Sequence, residues 1–420
     1  VVGAYQQRGL LAGSDDEPDV AHASNVGAPL LFRVSNPIVD DDSLSWRQVG
    51  RRMNRIRHFA EAAGRLWQFS DVGESMIQGA EDGVLRPGEL NPRQLSENGA
   101  ANRPAPLVVH ESALYVQARG GLVRDIAPVE ASGFNGSDLT LMSAHLLDGY
   151  TILDWCYQQT PDPVVWIVRS DGALLSLTYV RELGIIGWAR HDTDGTVESV
   201  ACVPEGNRDV VYWSVLRANG RYIERTTDRL ATDPVCVDSS LTFASPGTTI
   251  TGLDHLEGQD VSVVGDGAII ASPNNPAYTV LTVASGQITV PAAYTVAVVG
   301  LPFTTDIQTL EIDTAQGKSI RDGRFVMTRL GLFVENTGSL FAGQNAIADP
   351  SALSAGTYDL QPLPIEDTEG NAVTGVITGY REVNIEGSYN PGTGGIFLRN
   401  VDPQPLTVLA IIPQGHFPRK

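Results

Sequence analysis

The chain has 420 residues, 42% of them hydrophobic and only 19% charged, with 43 Gly, 25 Pro and a formal net charge of −20. This length suggests two or three domains, each burying its own core, and the aliphatic and aromatic content excludes a disordered polymer. The balance of 29 Lys and Arg against 49 Asp and Glu argues against a dedicated nucleic-acid reader, because phosphate affinity comes from cations.

No apolar run approaches the ~18 residues of a membrane-spanning helix. The amino terminus, VVGAYQQRG, lacks the charged and apolar regions of a signal peptide and does not begin with Met, so a processed or partial chain is expected. Further on, DDDSLSWRQVGRRMNRIRHFAEAAG (40–64) carries Val49, Met53, Ile56 and Ala60 or Ala63 at helical spacing. Asp42 or Ser43 would cap its amino end and Gly64 would end it, so one short helix is expected over 42–63.

A repeat follows. GRLWQFSDVGESMIQG (64–79), SALYVQARGGLVRDIAPV (112–129), PVVWIVRSDGALLSLTYV (163–180) and DVVYWSVLRANGRYIERT (209–226) each read as strand, tight turn, strand. Aligning Trp67, Tyr115, Trp166 and Tyr212 brings Gly73, Gly121, Gly172 and Gly220 nearly into line at a spacing of roughly 46–51 residues. The turns fall at Val72-Gly73, Gly120-Gly121, Asp171-Gly172 and Asn219-Gly220, and the last three dipeptides accept the positive φ of two-residue hairpin turns. An aromatic plus a turn glycine at that period predicts blades of a β-propeller, the alternative being a generic all-β domain. Four units are short for a closed ring.

From about residue 245 the texture changes to Thr and Val runs with many glycines, predicting a small β-barrel or sandwich over 246–312. Residues 313–420 are again β-rich, with strands expected over Arg324–Val334, Ala372–Ile385 and Leu406–Ile412. The expected class is therefore all-β: a β-propeller-like region over 1–245, the inserted barrel over 246–312 and a β-rich platform over 313–420.

Candidate chemistry is sparse. His22, His58, His110, His145, His191, His255 and His416 stand singly, without the HxxH or HxxxH spacing that turns two imidazoles toward one metal. Cys156, Cys202 and Cys236 are too few and too far apart for a disulfide framework or a CxxC site. YNPGTGGIFL (389–398) lacks the Lys-Ser/Thr of a phosphate loop and leads into a strand, so it reads as a hairpin turn. SDDEPD (14–19), DDD (40–42) and HDTDG (191–195) offer hard oxygen ligands, but no Glu closes a calcium loop after Asp192 and Asp194, and they read as solvated turns. RRMNRIRH (51–58) concentrates Arg51, Arg52, Arg55 and Arg57, read as a solvated helix face or a subunit contact to one of the acidic turns. No catalytic, cofactor-binding or metal-binding residue is assigned.

Several longer segments carry a more specific signal. SALYVQARGGLVRDIAPV, SDLTLMSAHLL and the tract from ILDWCYQQTPDPVVWIVRSDGALLSLTYVRELGIIGWARHDTDG to RANGRYIERT, with QQRGLLAGSDDEPDVAHASNVG, GLDHLEGQDVSVVGDGA and PLTVLAIIP, resemble the nozzle, or distal tail tubular, proteins of short-tailed bacteriophages. The resemblance touches most of the chain in the expected order. It implies a virion structural protein, located in the tail, whose copies form a hexameric ring below the adaptor ring and enclose the channel for genome ejection. It also implies a propeller beside a platform of β-domains, with an insert similar to a small barrel named for a domain of ubiquitin-activating enzymes, a name that carries no activity over. The family's chains usually have a longer amino-terminal region, and the family supplies no catalytic motif. Implied partners are further copies of the chain, the tail adaptor, tail fibres or other tail components, viral double-stranded DNA in passage, and the host cell surface; no cofactor is implied. The rival expectation is a propeller-type tail protein that binds or degrades a polysaccharide, which would need exposed aromatics and carboxylates in the propeller mouth.

Overall fold

Each predicted hairpin is the core of a larger antiparallel sheet. The computed structural model describes residues 1–48, 54–79, 83–129, 133–228, 235–310, 326–344, 360–364, 375–385 and 395–416. The chain divides into two compact units, Val1–Thr226 and Thr227–Lys420. Five sheets follow one another along the described residues of the first unit. The first contains Val2–Tyr5, Arg8–Ala12, Val20–Ala23 and Leu44–Arg47, and the second Ile56–Ala62, Arg65–Ser70, Glu74–Gln78 and Asn91–Ser96. Leu107–Val109, Ser112–Val116, Val123–Val129 and Gly133–Asp138 form the third. The fourth is built from Ile152–Gln158, Val164–Arg169, Leu174–Val180 and Ile185–His191, and the fifth from Thr196–Glu205, Arg208–Arg217 and Gly220–Arg225. In every sheet the strands lie side by side in chain order.

The sheets also pack in that order, because the second, third and fourth each turn apolar residues into two successive clusters. Leu10 and Trp46 of the first meet Ile56 and Leu66 of the second. Trp67 and Phe69 of the second share a cluster with Ala113 and Tyr115 of the third. Leu114 and Val123 then pack with Trp155 and Ile167, and Val168 and Leu174 with Val200, Val211 and Val215. Four-stranded meanders packed in succession are the plan of propeller blades, and the first unit is β-propeller-like. Of the aligned aromatics, Trp67 and Tyr115 are buried, whereas Trp166 and Tyr212 are half-buried. The turns differ in chemistry. Gly120-Gly121 takes positive φ at both residues, at Asp171-Gly172 and Asn219-Gly220 only the glycine does, and at Val72-Gly73 neither does.

The helix expected over 42–63 does not form in the described part of that segment. Leu44–Arg47 closes the first sheet, Ile56–Ala62 opens the second, and residues 49–53 lie outside the described residues. The reason is a turn. Ala63 and Gly64 adopt φ of 51° and 65°, which reverses the chain so that Ala62 pairs with Arg65 across a two-residue hairpin. Gly64 is therefore a hairpin residue and not a helix stop.

In the second unit, Val296–Leu301 lies between Asp238–Ala244 and Asp260–Gly265, and the latter also pairs with Ala268–Ala271 and Leu281–Thr282. This sheet shares its core with the two-stranded ribbon Thr249–Thr251 and Gln287–Thr289, burying Ile250, Val261, Val263, Ile288 and Val299. The sheet path is open, and the barrel expected over 246–312 does not close among the described residues. Beyond it, Val326–Thr337 pairs with Ile377–Asn384 on one side and Val408–His416 on the other. Thr305–Gln308, Ile396–Asn400, Phe341–Gln344 and Gln361–Pro362 make a further sheet, and Leu398 and Ala342 enter the same core as Leu330 and Leu332. Asp402, 5% exposed, ties the turn after Ala268–Ala271 to the loop after Val326–Thr337: it accepts from Ser272 Oγ at 2.8 Å, Asn275 Nδ2 at 2.9 Å and Ser339 Oγ at 2.6 Å.

Candidate functional site: a polar cleft between the third and fourth sheets

Two turns bring ionisable side chains together. His110 and Glu111 form the two-residue turn between Leu107–Val109 and Ser112–Val116, where Val109 pairs with Ser112 and His110 takes a φ of 52°. Arg181 and Glu182 open the single 3₁₀ turn Arg181–Leu183 that ends strand Leu174–Val180. Between them lies a cleft of about 300 Å³ lined by Val109, His110, Glu111, Ser112, Tyr179, Arg181 and Glu182.

The floor of the cleft is an ion pair. Asp125, on the strand beside Ser112–Val116, has a side chain only 2% exposed and accepts from Arg181 Nη1 at 2.7 Å, while the Arg181 side chain remains 37% exposed. The same carboxylate accepts from Tyr179 Oη at 2.7 Å and from the Ser137 N–H at 2.7 Å. Ser112 Oγ stands 3.4 Å from the Tyr179 phenol, whose pKa is raised by burial. A buried carboxylate with three donors is satisfied, and its removal would strand Arg181 and Tyr179. His110 Nε2 lies 3.3 Å from Tyr157 Oη.

Chemically, the constellation is a set of polar and charged groups beside a buried ion pair. The Ser112 hydroxyl faces a phenol and no imidazole lies within bonding distance of it, so no base–nucleophile pair is assembled there. Asp125 is held by Arg181 and closed off by burial, which suits an anchor and not a general base. The residues lining the cleft include Glu111, Glu182, Arg181 and His110, a set that suits a hydroxyl-bearing ligand. No three His, Cys, Asp or Glu side chains are grouped for a metal ion among the described residues.

The acidic segments singled out in the sequence are not brought together. Asp15 pairs with Arg55 at 2.7 Å, and Glu17 and Asp19 approach Arg47 at 3.3 and 3.5 Å. Asp40 approaches Arg86 at 3.3 Å, Asp42 folds back on its own loop, and Asp192 pairs with Arg190 at 2.8 Å. Of the basic tract, Arg55 and Arg57 are both paired within the chain, Arg57 with Asp71 at 2.5 Å, and residues 51–53 lie outside the described set. His58 Nε2 lies 3.0 Å from the Ala101 carbonyl and its pKa is lowered by burial, while His191 Nε2 lies 2.7 Å from Ser176 Oγ. Burial pushes the Cys156 thiol up to about 12 and those of Cys202 and Cys236 up to about 11, the opposite of activation. Residues 389–394 of YNPGTGGIFL are outside the described set, and the remainder enters strand Ile396–Asn400.

Sequence reasoning did not find the cleft, because Ser112, Asp125 and Tyr179 come from three strands with no motif spacing. The available signal was Asp125 itself, an acid set beside Arg124 in the mostly apolar run GLVRDIAPV.

No family model matches the chain, and no curated protein matches it. Among solved structures, a protein from Lactobacillus plantarum, determined as a structural-genomics target, is 10% identical over 90% of this chain and 100% of its own, with a TM-score of 0.30. At that score the likeness carries no argument.

Proposed function

We propose that the chain is a structural subunit of a phage tail nozzle, a ring at the distal end of the tail around the channel through which double-stranded DNA leaves the virion. The observation that carries this reading is the order of its parts: a run of blade-like sheets over Val2–Arg225, a small β-domain over Asp238–Leu301, then a β-platform over Thr305–His416. That order is the one the sequence resemblance implies. The charge of −20 fits the task, since a wall that repels phosphate leaves a duplex mobile where a cationic wall would hold it. Further copies of the chain, the tail adaptor and tail fibres are its partners under this reading, with the host surface beyond. Imaging of the particle by electron microscopy tests it: this chain is expected six-fold around the tail axis, and its absence from purified virions would overturn the proposal.

A second reading, a polysaccharide-binding tail protein, is favoured by the cleft at His110, Glu111, Arg181 and Glu182. It predicts that host-surface glycans bind the purified chain and that binding is lost on Glu182→Gln; a chain that binds no glycan leaves the cleft without this role.

A further inference from the structure

Residues 25–42 form a loop between strands Val20–Ala23 and Leu44–Arg47 of the first sheet. The loop presents Leu30, Leu31, Phe32, Val34, Ile38 and Val39 to solvent, Leu30 at 94% exposure. Its shape is fixed from within by polar groups. The Asp42 carboxylate accepts from the N–H and the hydroxyl of Ser35, both at 2.9 Å, and from the Val39 N–H at 3.0 Å. Asn25 Oδ1 accepts from the Arg33 N–H at 2.9 Å. Beneath, the buried Arg8 guanidinium donates to the carbonyls of Ser24, Asp40 and Asp42, each at 2.7 Å. Such a frame holds apolar side chains outward without ordering cost on contact, which is what a preformed docking surface requires.

The first unit carries a second apolar surface of a different kind. Strand Ile185–His191 is the outer strand of the fourth sheet, paired only with Leu174–Val180. Ile185 and Ile186 are exposed, and Leu183, which leads into the strand, is 73% exposed. Other outer strands are guarded in the usual ways. Asn91–Ser96 carries Pro92 and Arg93, Leu44–Arg47 is only 4 residues long, and Gly220–Arg225 places Arg221 and Arg225 in ion pairs with Glu198 and Glu205. The Ile185–Ala189 part of strand Ile185–His191 has no charge and no proline, Arg190 pairing with Asp192 only at the far end, and its register with Leu174–Val180 is continuous.

We infer that these surfaces meet in a second copy of the chain: the Leu30–Val34 loop of one copy docks on the Leu183–Ile186 edge of the next. Charge selects the pairing, since the exposed Arg33 stands within the loop and the exposed Glu182 stands beside Leu183. Because loop and edge are different patches, the contact is heterologous. In a pair, one copy keeps its edge unused and the other its loop, so association propagates and closes only if the rotation closes. The inference stands on the two surfaces and goes beyond the nozzle reading, for which it names the contact between neighbouring copies.

Sedimentation of the full chain tests it. The unsubstituted chain is expected to associate beyond a monomer, and Leu30→Asp and Ile186→Asp, both on exposed side chains, are each expected to abolish that association. Mixed in equal amounts these two variants are expected to form a dimer and stop, because Leu30→Asp retains the edge and Ile186→Asp retains the loop. Arg33→Glu and Glu182→Arg are each expected to weaken association about tenfold, and the double variant to restore it. A monomeric parent chain, or a mixture that forms no dimer, overturns the inference. If the parent chain and both aspartate variants assemble alike, this contact is wrong while a ring on the tail can still be right. If the mixed dimer forms but the chain is absent from virions, the contact stands and the nozzle reading falls.

Discussion

Gly172 turns the central hairpin of the fourth sheet where no side chain fits. Its φ is 84°, and a Cβ there would stand 1.9 Å from Thr196 Cγ2, because the fifth sheet starts against this turn and the Val197 N–H donates to the Gly172 carbonyl at 3.0 Å. Gly172→Ala is expected to cost roughly 2–4 kcal/mol, the sum of a left-handed backbone penalty and overpacking. Gly149 has a φ of 80° and open space around it, so Gly149→Ala should cost only about 1–2 kcal/mol. Denaturant midpoints compare the two, and equal losses would mean that Thr196 simply moves aside. Glu74 poses a different problem. It is fully buried, Ser96 Oγ donates to its Oε2, and its Oε1 has no hydrogen-bond partner. Burial raises its pKa above the model-peptide 4.5, so the folded state holds the proton more tightly than the unfolded state does. The sign follows from linkage: this contribution is fully present below pH 4.5 and is lost as pH rises through the folded value. Glu74→Gln, which cannot ionise, should therefore be more stable than the parent at neutral pH, with the gap narrowing as pH falls through the raised folded value and levelling off below pH 4.5. Urea midpoints that run parallel across that range would exclude proton uptake at Glu74.

At the scale of elements, the loop 25–42 is held from beneath by Arg8, in addition to its internal Asp42 and Asn25 bonds. Arg8 reaches three carbonyls at 2.7 Å and that of Leu85 at 3.4 Å, a fan of donors that only a planar guanidinium provides. Arg8→Lys keeps the charge but not the fork, and is expected to cost roughly 2–4 kcal/mol through carbonyls left unpaired. Proteolysis should then cut within 25–42 faster than in the parent, and an unchanged cleavage rate would show that Asp42 and Asn25 hold the loop alone. Arg8 also marks what could and could not be read from the sequence. The four hairpins were legible because an aromatic strand and a turn glycine recur locally. The first sheet was missed because its opening turn is Gln6-Gln7, at φ of 47° and 59°, residues that do not signal a tight turn. Strand Ile56–Ala62 was misread as helix because Arg-rich, Ala-rich sequence favours helix locally, and pairing with Arg65–Ser70 overrides that preference. The cleft shows the same limit, since Arg181 finds Asp125 across 56 residues through sheet packing that no spacing encodes.

For the whole molecule, the question is what its surface offers to a phosphate backbone. The net charge of −20 understates the case, because many of the arginines are spent on internal carboxylates. Arg57 pairs with Asp71, Arg169 with Asp171, Arg217 with Glu224 and Arg399 with Asp306. Of the segment that looked basic, Arg55 meets Asp15, and the preceding Arg47 meets Glu17 and Asp19 of the same acidic turn. A duplex should therefore pass the parent chain without retardation even at about 50 mM salt, where non-specific binding is strongest. Replacing Asp15, Glu17 and Asp19 together by Lys would free Arg47 and Arg55 and turn the same exposed turn into a cationic patch with the fold unchanged. That variant is expected to retain duplex DNA, with an affinity whose logarithm falls by about 0.9 per contacted phosphate for each decade of salt. If the parent chain itself holds DNA at low salt, its acidity does not keep a duplex mobile, and the conduit reading loses its physical basis. If only the variant binds, charge and not shape is what keeps this surface from gripping the genome.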